Sequence, residues 1–240
     1  MEILNLLVYP THVMTTRLFI ARHGKTMFNT IGRAQGWSDT PLTAEGERGI
    51  RELGRGLREA QLDFQSAYTS DLGRTILTLD IILEEMKLSR LPHTRDKRIR
   101  EWCFGSMDGG FDVDLFHGIL PRIFNRSHKE LSYQEMAEGI YEADTAGWAE
   151  TWEQLSGRIL DGFTSIAKQV EAGGGGDVLV VSHGMTIGTF LSLIDPDYVK
   201  STYIANGSIT QVTFEDGAFT IETIGDLSYR EKGAELLALN

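Results

Sequence analysis

Cysteine is almost missing: Cys103 stands alone among 240 residues. An intramolecular disulfide is therefore excluded, which fits a reducing compartment. Basic residues are also in short supply, with 23 Lys and Arg against 34 Asp and Glu and a formal net charge of −11. So acidic a chain is a poor candidate for binding nucleic acid or an anionic membrane surface. No apolar run approaches the ~20 residues that span a bilayer. The opening segment MEILNLLVYP lacks the basic stretch that begins a signal peptide. A cytoplasmic location is the expectation. Internal repeats are absent, and the one low-complexity stretch is the glycine run from Gly173 to Gly176.

What is present suits an ordinary soluble fold: 41% apolar and 24% charged residues, enough for a core at this length. An N-terminal extension is expected over 1–15 and a single domain over 16–240. Met14 stands directly before the first strand, which suggests that 1–13 stem from an upstream start codon. Strands are expected over 16–21, 64–69, about 90–94 and Val178–Val181, with a closing hairpin of Ile209–Phe214 and Phe219–Ile224. Helices are expected over 44–60 behind a Thr43 N-cap, over about 72–87 capped by Ser70-Asp71, over 151–171 and over 185–194. The stretch 106–150, rich in aromatics and acids and without strand alternation, reads as a helical insertion. Alternating strands and helices argue for an α/β fold, a three-layer α/β/α sandwich with a mostly parallel central sheet.

Two histidines each follow an apolar strand and precede a glycine: Arg22-His23-Gly24 after Leu18–Ala21, and Ser182-His183-Gly184 after Val178–Val181. Ligands of α/β sheets bind at the carboxyl ends of strands. If the two strands are neighbours, the imidazoles converge, one able to attack phosphorus and Arg22 able to hold phosphate oxygens. The bland alternative is two unrelated loop histidines. Arg74, near the start of a helix, could add a bidentate contact to an anion. Taken alone it is better read as a surface arginine. Glu101, between Arg100 and Trp102, could be a general acid whose pKa its aromatic neighbours raise. From spacing alone it is a solvated glutamate. Asn29 and Gln35 lie in the loop after His23 and could equally be turn residues. Cys103 lacks an activating motif, and His93, His117 and His128 lack metal-ligand spacing. Glu135, Glu138, Glu142 and Asp144 read as a solvated helical face.

The segment around Arg22-His23-Gly24 resembles the signature of the histidine phosphatase superfamily, which includes the phosphoglycerate mutases and their phosphatase relatives. Thr69-Ser70-Asp71-Leu72-Gly73-Arg74-Thr75 is similar to that family's second arginine motif. Arg100-Glu101-Trp102-Cys103-Phe104-Gly105 is similar to the stretch carrying its proton donor. Asn29 resembles the family asparagine that binds phosphate, and Gln35 lies in a segment close to the one joining the first motif to the first helix. The resemblance spans roughly 16–225. It implies catalysis by His23, Glu101, His183, Arg22 and Arg74, and phosphate binding by Arg22, Asn29, Gln35, Arg74, His183 and Gly184, with no metal and no cofactor. It implies a phosphatase working through a phosphohistidine, with the insertion over the active site. Only Arg122, Arg126 and Lys129 are basic within 106–150 besides its histidines, fewer than a mutase insertion would bring. Phosphoglycerate mutase-type transfer and a non-catalytic phospho-ligand-binding module stay open. The expected partner is a small phosphorylated metabolite, and a homodimer is left open.

Overall fold

The computed structural model describes residues 15–200 and 203–238, so all of the expected extension except Thr15 lies outside the described residues. In chain order the elements are β1 (Thr16–Arg22), α1 (Met27–Ile31), α2 (Ala44–Glu59), β2 (Phe64–Thr69), α3 (Gly73–Met86), β3 (His93–Arg95), α4 (Leu120–Phe124), α5 (Tyr133–Ala143), α6 (Trp152–Ala172), β4 (Gly176–Ser182), α7 (Gly184–Ile194), β5 (Ile209–Glu215), β6 (Ala218–Asp226) and α8 (Ser228–Ala238). The six strands form one sheet in the order β3-β2-β4-β1-β5-β6. The first four run parallel, and the β5–β6 hairpin adds an antiparallel edge.

The central strands are apolar on both faces because both faces are covered, as in parallel sheets generally. Alternation along β1 and β4 divides the core in two. Leu18, Ile20, Val178 and Val180 pack with Ile159, Phe163 and Phe190 of α6 and α7. Phe19, Ala21, Leu179 and Val181 pack with Ile50, Leu53, Leu79 and Ile82 of α2 and α3. The expected three-layer sandwich is therefore the fold. Among the described residues no helix is long and apolar enough to cross a membrane.

Thr43 caps α2 as expected, its side chain accepting from the Gly46 N–H, with Glu45 and Glu47 in the first turn. The cap expected from Ser70-Asp71 is not formed: α3 begins at Gly73 without a side-chain cap. Ser70 and Asp71 are spent elsewhere, on His183 and on Arg100. The strand expected near 90–94 shortens to His93–Arg95, fully exposed at the sheet edge. The glycine run makes a defined turn: Gly174, Gly175 and Gly176 have φ of 112°, 73° and 107°. Those values favour glycine, and they return the chain from α6 into β4.

Helix α8 was not expected from the sequence. It lies directly against α2, where a Cβ on Gly56 would stand 1.7 Å from the Tyr229 carbonyl oxygen. The 106–150 stretch is helical as expected, with a wide-turned π-helix over Val113–Ile119 leading into α4 and α5. It is tied to the loop after His23 by Ala34 N–H to Gly110 O (2.9 Å), Gly109 N–H to Ala34 O (2.8 Å) and Asp112 N–H to Gly32 O (2.9 Å). Asp144 stays at the surface, at the end of α5, but its carboxylate is not free. Its carboxylate accepts from the backbone N–H groups of Ser106, Ala146, Trp148 and Ala149, which hold it well below the usual carboxylate range, most of all the Ala149 N–H.

Candidate active site

β1 and β4 are parallel neighbours with Arg22 paired to Ser182. The residues that follow, His23 and His183, therefore leave the sheet side by side, their ring centroids 5.2 Å apart. His23 Nδ1 meets the Gly24 carbonyl at 2.8 Å. An imidazole nitrogen facing a carbonyl oxygen must carry its hydrogen, so Nε2 keeps the lone pair. Both rings are buried, at 3% and 0% exposure. Burial first, then the Arg74 charge, holds each imidazole well below the ordinary histidine pKa. His23 is thus neutral near pH 7, the state a nucleophile needs.

Three buried donor or acceptor atoms around these rings have no partner among the described residues: Arg22 Nε, Arg74 Nε and His183 Nδ1. Buried polar atoms are rarely left so in folded proteins. Arg22 is anchored by Nη1, which donates to the Ile204 carbonyl (2.7 Å) and the Tyr203 hydroxyl (3.4 Å). Its Nε–Nη2 edge, the side-on fork that fits a phosphate, makes no hydrogen bond among the described residues. Gly184 lies beneath that edge, and a Cβ there would sit 3.2 Å from Arg22 Nε.

Arg74 is not the surface residue its position alone suggests, at 1% exposure. Nor is its terminal fork free for the expected bidentate contact. Nη1 donates to Ser38 O and Asp39 Oδ1, and Nη2 to Gly36 O and, at 3.5 Å, Gln35 O. Four acceptors hold the guanidinium and leave Nε–H as its open donor. His183 Nε2 lies 2.8 Å from Ser70 Oγ, which itself meets Thr75 Oγ1 at 2.7 Å.

Glu101 is 6% exposed, and its surroundings are polar, not the apolar ones its aromatic neighbours imply. Oε1 accepts from the N–H groups of Trp102 and Thr186 and from the Thr186 hydroxyl. Oε2 accepts from Met185 N–H alone, at 3.1 Å. The carboxyl therefore sits on the N-terminus of α7, a helix that starts one residue after His183. Among the described residues Oε2 has this one partner and keeps a lone pair open.

Asn29 is the third residue of α1 and closes a capping box with Thr26 through Oδ1 (3.2 Å). Oδ1 also accepts from Asn206 Nδ2, leaving the Asn29 amide N–H groups without a partner among the described residues. Gln35 is different. Its Oε1 accepts from Thr26 Oγ1 (2.6 Å) and its Nε2 donates to Thr40 Oγ1 (2.9 Å). Its amide braces the loop instead of offering itself to phosphate. The nearby carboxylate of Asp108 is committed elsewhere, accepting from the N–H groups of Gly36, Trp37 and Ser38. Ser182 Oγ donates to Ile99 O. Cys103 is buried and burial pushes its thiol up, the setting of an inert cysteine.

Sequence reasoning missed several contributors. Asn206 Nδ2 donates to His23 O at 2.8 Å, and Asp39 and Ser38 hold Arg74. The half-buried Asp112 brings the insertion close to Arg22: burial pushes its carboxyl up and the Arg22 charge opposes this. None of these follows a motif spacing, because each acts from a loop fixed by tertiary contacts. Of the aromatics in the insertion, Phe116, Phe124 and Tyr133 pack against the core, while Phe111 covers the Arg33 guanidinium at 4.4 Å. Among the described residues no cluster of three or more His, Cys, Asp or Glu is placed to hold a metal.

The model of the histidine phosphatase superfamily (branch 1) matches residues 18–227. A probable phosphoglycerate mutase GpmB of Klebsiella pneumoniae is 30% identical over 228 residues, covering 91% of this chain and 96% of that protein. The crystal structure of a phosphoglycerate mutase from Bacillus anthracis superposes with a TM-score of 0.87 at 36% identity, over 92% of this chain and 98% of that one. A phosphoserine phosphatase from Entamoeba histolytica shares the fold at 21% identity, with a TM-score of 0.67 over 89% of this chain and 98% of that one.

Proposed function

The chain belongs to the histidine phosphatase superfamily, and from that premise we propose that it hydrolyses phosphate monoesters through a phosphohistidine on His23. The observation that carries the reading is the set of unpartnered buried atoms, Arg22 Nε, Arg74 Nε and His183 Nδ1, around a neutral His23. They suit one phosphoryl group. With Ser70 donating to His183 Nε2, the imidazole presents its hydrogen from Nδ1 to a phosphate oxygen.

His23 Nε2 attacks phosphorus in line with the ester oxygen. The P–N bond forms, the P–O bond breaks, and the proton on Glu101 Oε2 passes to the departing alkoxide. Arg22, Arg74 and His183 stabilise the equatorial oxygens throughout, a fixed electrostatic role set before the reaction begins. Water then attacks the phosphohistidine, giving its proton to Glu101, and phosphate leaves with His23 restored.

A mutase must also hold the carboxylate of a phosphorylated acid while it turns. The insertion has little to offer that group. Arg126 is an exposed residue paired with Glu135, Arg122 and Lys129 are exposed, and the cations that act on His23 are Arg74 and Arg22. Mutase activity is favoured by the names of the two more similar relatives, so the test must follow both products. Wild-type protein is incubated with 3-phosphoglycerate and with p-nitrophenyl phosphate, without added metal. Free phosphate without 2-phosphoglycerate is expected. Isomer as the main product would make the chain a mutase. Neither product, with phosphate still bound, would leave a phospho-ligand-binding module.

A further inference from the structure

We propose that Arg158, held by Glu150 and assisted by Trp37, is a positioning residue for the proton transfer by Glu101. The proposal rests on the phosphatase reading above and concerns how its general acid is kept in place.

Glu101 has no regular secondary structure to fix it. Residues 100–104 belong to neither helix nor strand, so their carbonyl groups find no partners in a ladder. Arg158, on the long helix α6, supplies them. Its Nη1 donates to Arg98 O (2.9 Å) and Arg100 O (2.8 Å), and its Nη2 to Glu101 O (2.9 Å). Trp37 Nε1 donates to that same Glu101 carbonyl at 2.9 Å. The guanidinium is aimed by a fork–fork pair with Glu150, Nε to Oε1 at 2.5 Å and Nη2 to Oε2 at 2.6 Å. Side-chain exposures of 15% and 12% keep water from competing with it. The base of this clamp is rigid, since Ile159 and Phe163 of the same helix are fully buried.

The clamp reaches the acid through one peptide. Its carbonyl is gripped by Arg158 and Trp37, while its carboxyl is gripped by the start of α7. Two grips fix the side chain between them, so Oε2 faces its task without a conformational search. Catalytic groups displaced by about 1 Å lose much of their effect. Arg158 spans the carbonyls of Arg98, Arg100 and Glu101, and Trp37 adds its donor to the last of these alone. Here two independent donors converge on the carbonyl of the one residue that carries the acid.

General acids matter in proportion to the basicity of the leaving group. A nitrophenolate departs unaided, whereas an alkoxide needs the proton. The test compares kcat/KM, which reports the step up to P–O cleavage, for n-butyl phosphate and p-nitrophenyl phosphate. The proteins are wild type, Arg158→Met, Trp37→Phe and, as benchmark, Glu101→Gln. For Arg158→Met the alkyl ester should lose ~10-fold or more while the aryl ester loses less than ~3-fold, a smaller copy of the Glu101→Gln pattern. Trp37→Phe should show the same selectivity at lower amplitude, and decides the matter if Arg158→Met does not fold. Equal loss on both esters would make the clamp merely structural and overturn the proposal. Wild type inactive on both esters would instead overturn the phosphatase reading. Glu101→Gln without selectivity, in an active wild type, would remove Glu101 as the acid.

Discussion

Burying two neutral histidines beside two arginines makes the folded state a poor acceptor of protons, and that has a measurable consequence. His23 and His183 are held well below the ordinary value of 6.5, chiefly by burial and next by Arg74. In the unfolded chain the same side chains titrate normally. Below that value the unfolded state therefore binds protons that the folded state refuses, and stability must fall as pH falls. A histidine neutral in the fold at pH 5 and normal when unfolded costs about 2 kcal/mol at pH 5 relative to pH 7.5. The two together cost about 4 kcal/mol, a large share of a typical folding free energy. Urea unfolding at pH 5.0 and 7.5 measures the difference for wild type, His23→Gln and His183→Gln. Subtracting the pH change of each variant from that of wild type removes the carboxylates and the exposed histidines, which titrate alike in all three. Each variant should lose about 2 kcal/mol less than wild type on acidification. An identical pH change in wild type and His23→Gln would mean that His23 titrates in the fold as it does in the unfolded chain. The argument that burial and Arg74 hold the imidazole neutral would then be wrong.

His23→Ala should abolish covalent labelling by a 32P-labelled substrate, read by autoradiography of a detergent-quenched sample on a gel run at alkaline pH, where phosphohistidine survives. Glu101→Gln should lower kcat/KM on alkyl phosphates by ~10²-fold or more while leaving inorganic phosphate binding by calorimetry within ~3-fold, since the acid acts in the transition state. Gly56→Ala should destabilise the protein by about 2 kcal/mol, roughly 4–8 °C in Tm by calorimetry, because the new methyl group meets the Tyr229 carbonyl and α8 must move. An unchanged Tm would mean that α8 does not press on α2.

Much of the fold could be read along the chain because its signals are local. A fully apolar Val178–Val181 run, a Thr43 cap and a 3.6-residue apolar stripe each depend on near neighbours, and strands and helices form where they were expected. Errors gathered where a side chain had two suitors. Ser70 and Asp71 are good capping types, but the cap loses to a His183 contact and an Arg100 ion pair that come from far along the chain. Asp144 is a surface acid as expected, but the turn after α5 folds backbone N–H groups around it, Ser106 adding one from further off. Gln35 has the right type for phosphate and spends its amide on Thr26 and Thr40. Helix α8, weakly amphipathic in sequence, becomes clear only as the layer that closes over the glycines of α2.

The sequence by itself determined the chemistry: which strand ends carry histidine and glycine, which arginines and which glutamate travel with them, and that they sit in an acidic chain with a single cysteine. These are properties of residue type and order. Tertiary structure alone decided what each group can do. Parallel pairing of β1 with β4 puts the ring centroids of His23 and His183 5.2 Å apart across a 160-residue separation (183 − 23). Carbonyl oxygens of the 35–39 loop occupy the fork of Arg74 and leave only its Nε. The start of α7 and the Arg158 clamp hold Glu101 from either side. Protonation state, free hydrogen-bonding capacity and aim depend on burial and on partners, and partners so distant in sequence are chosen only when the layers of the sandwich come together.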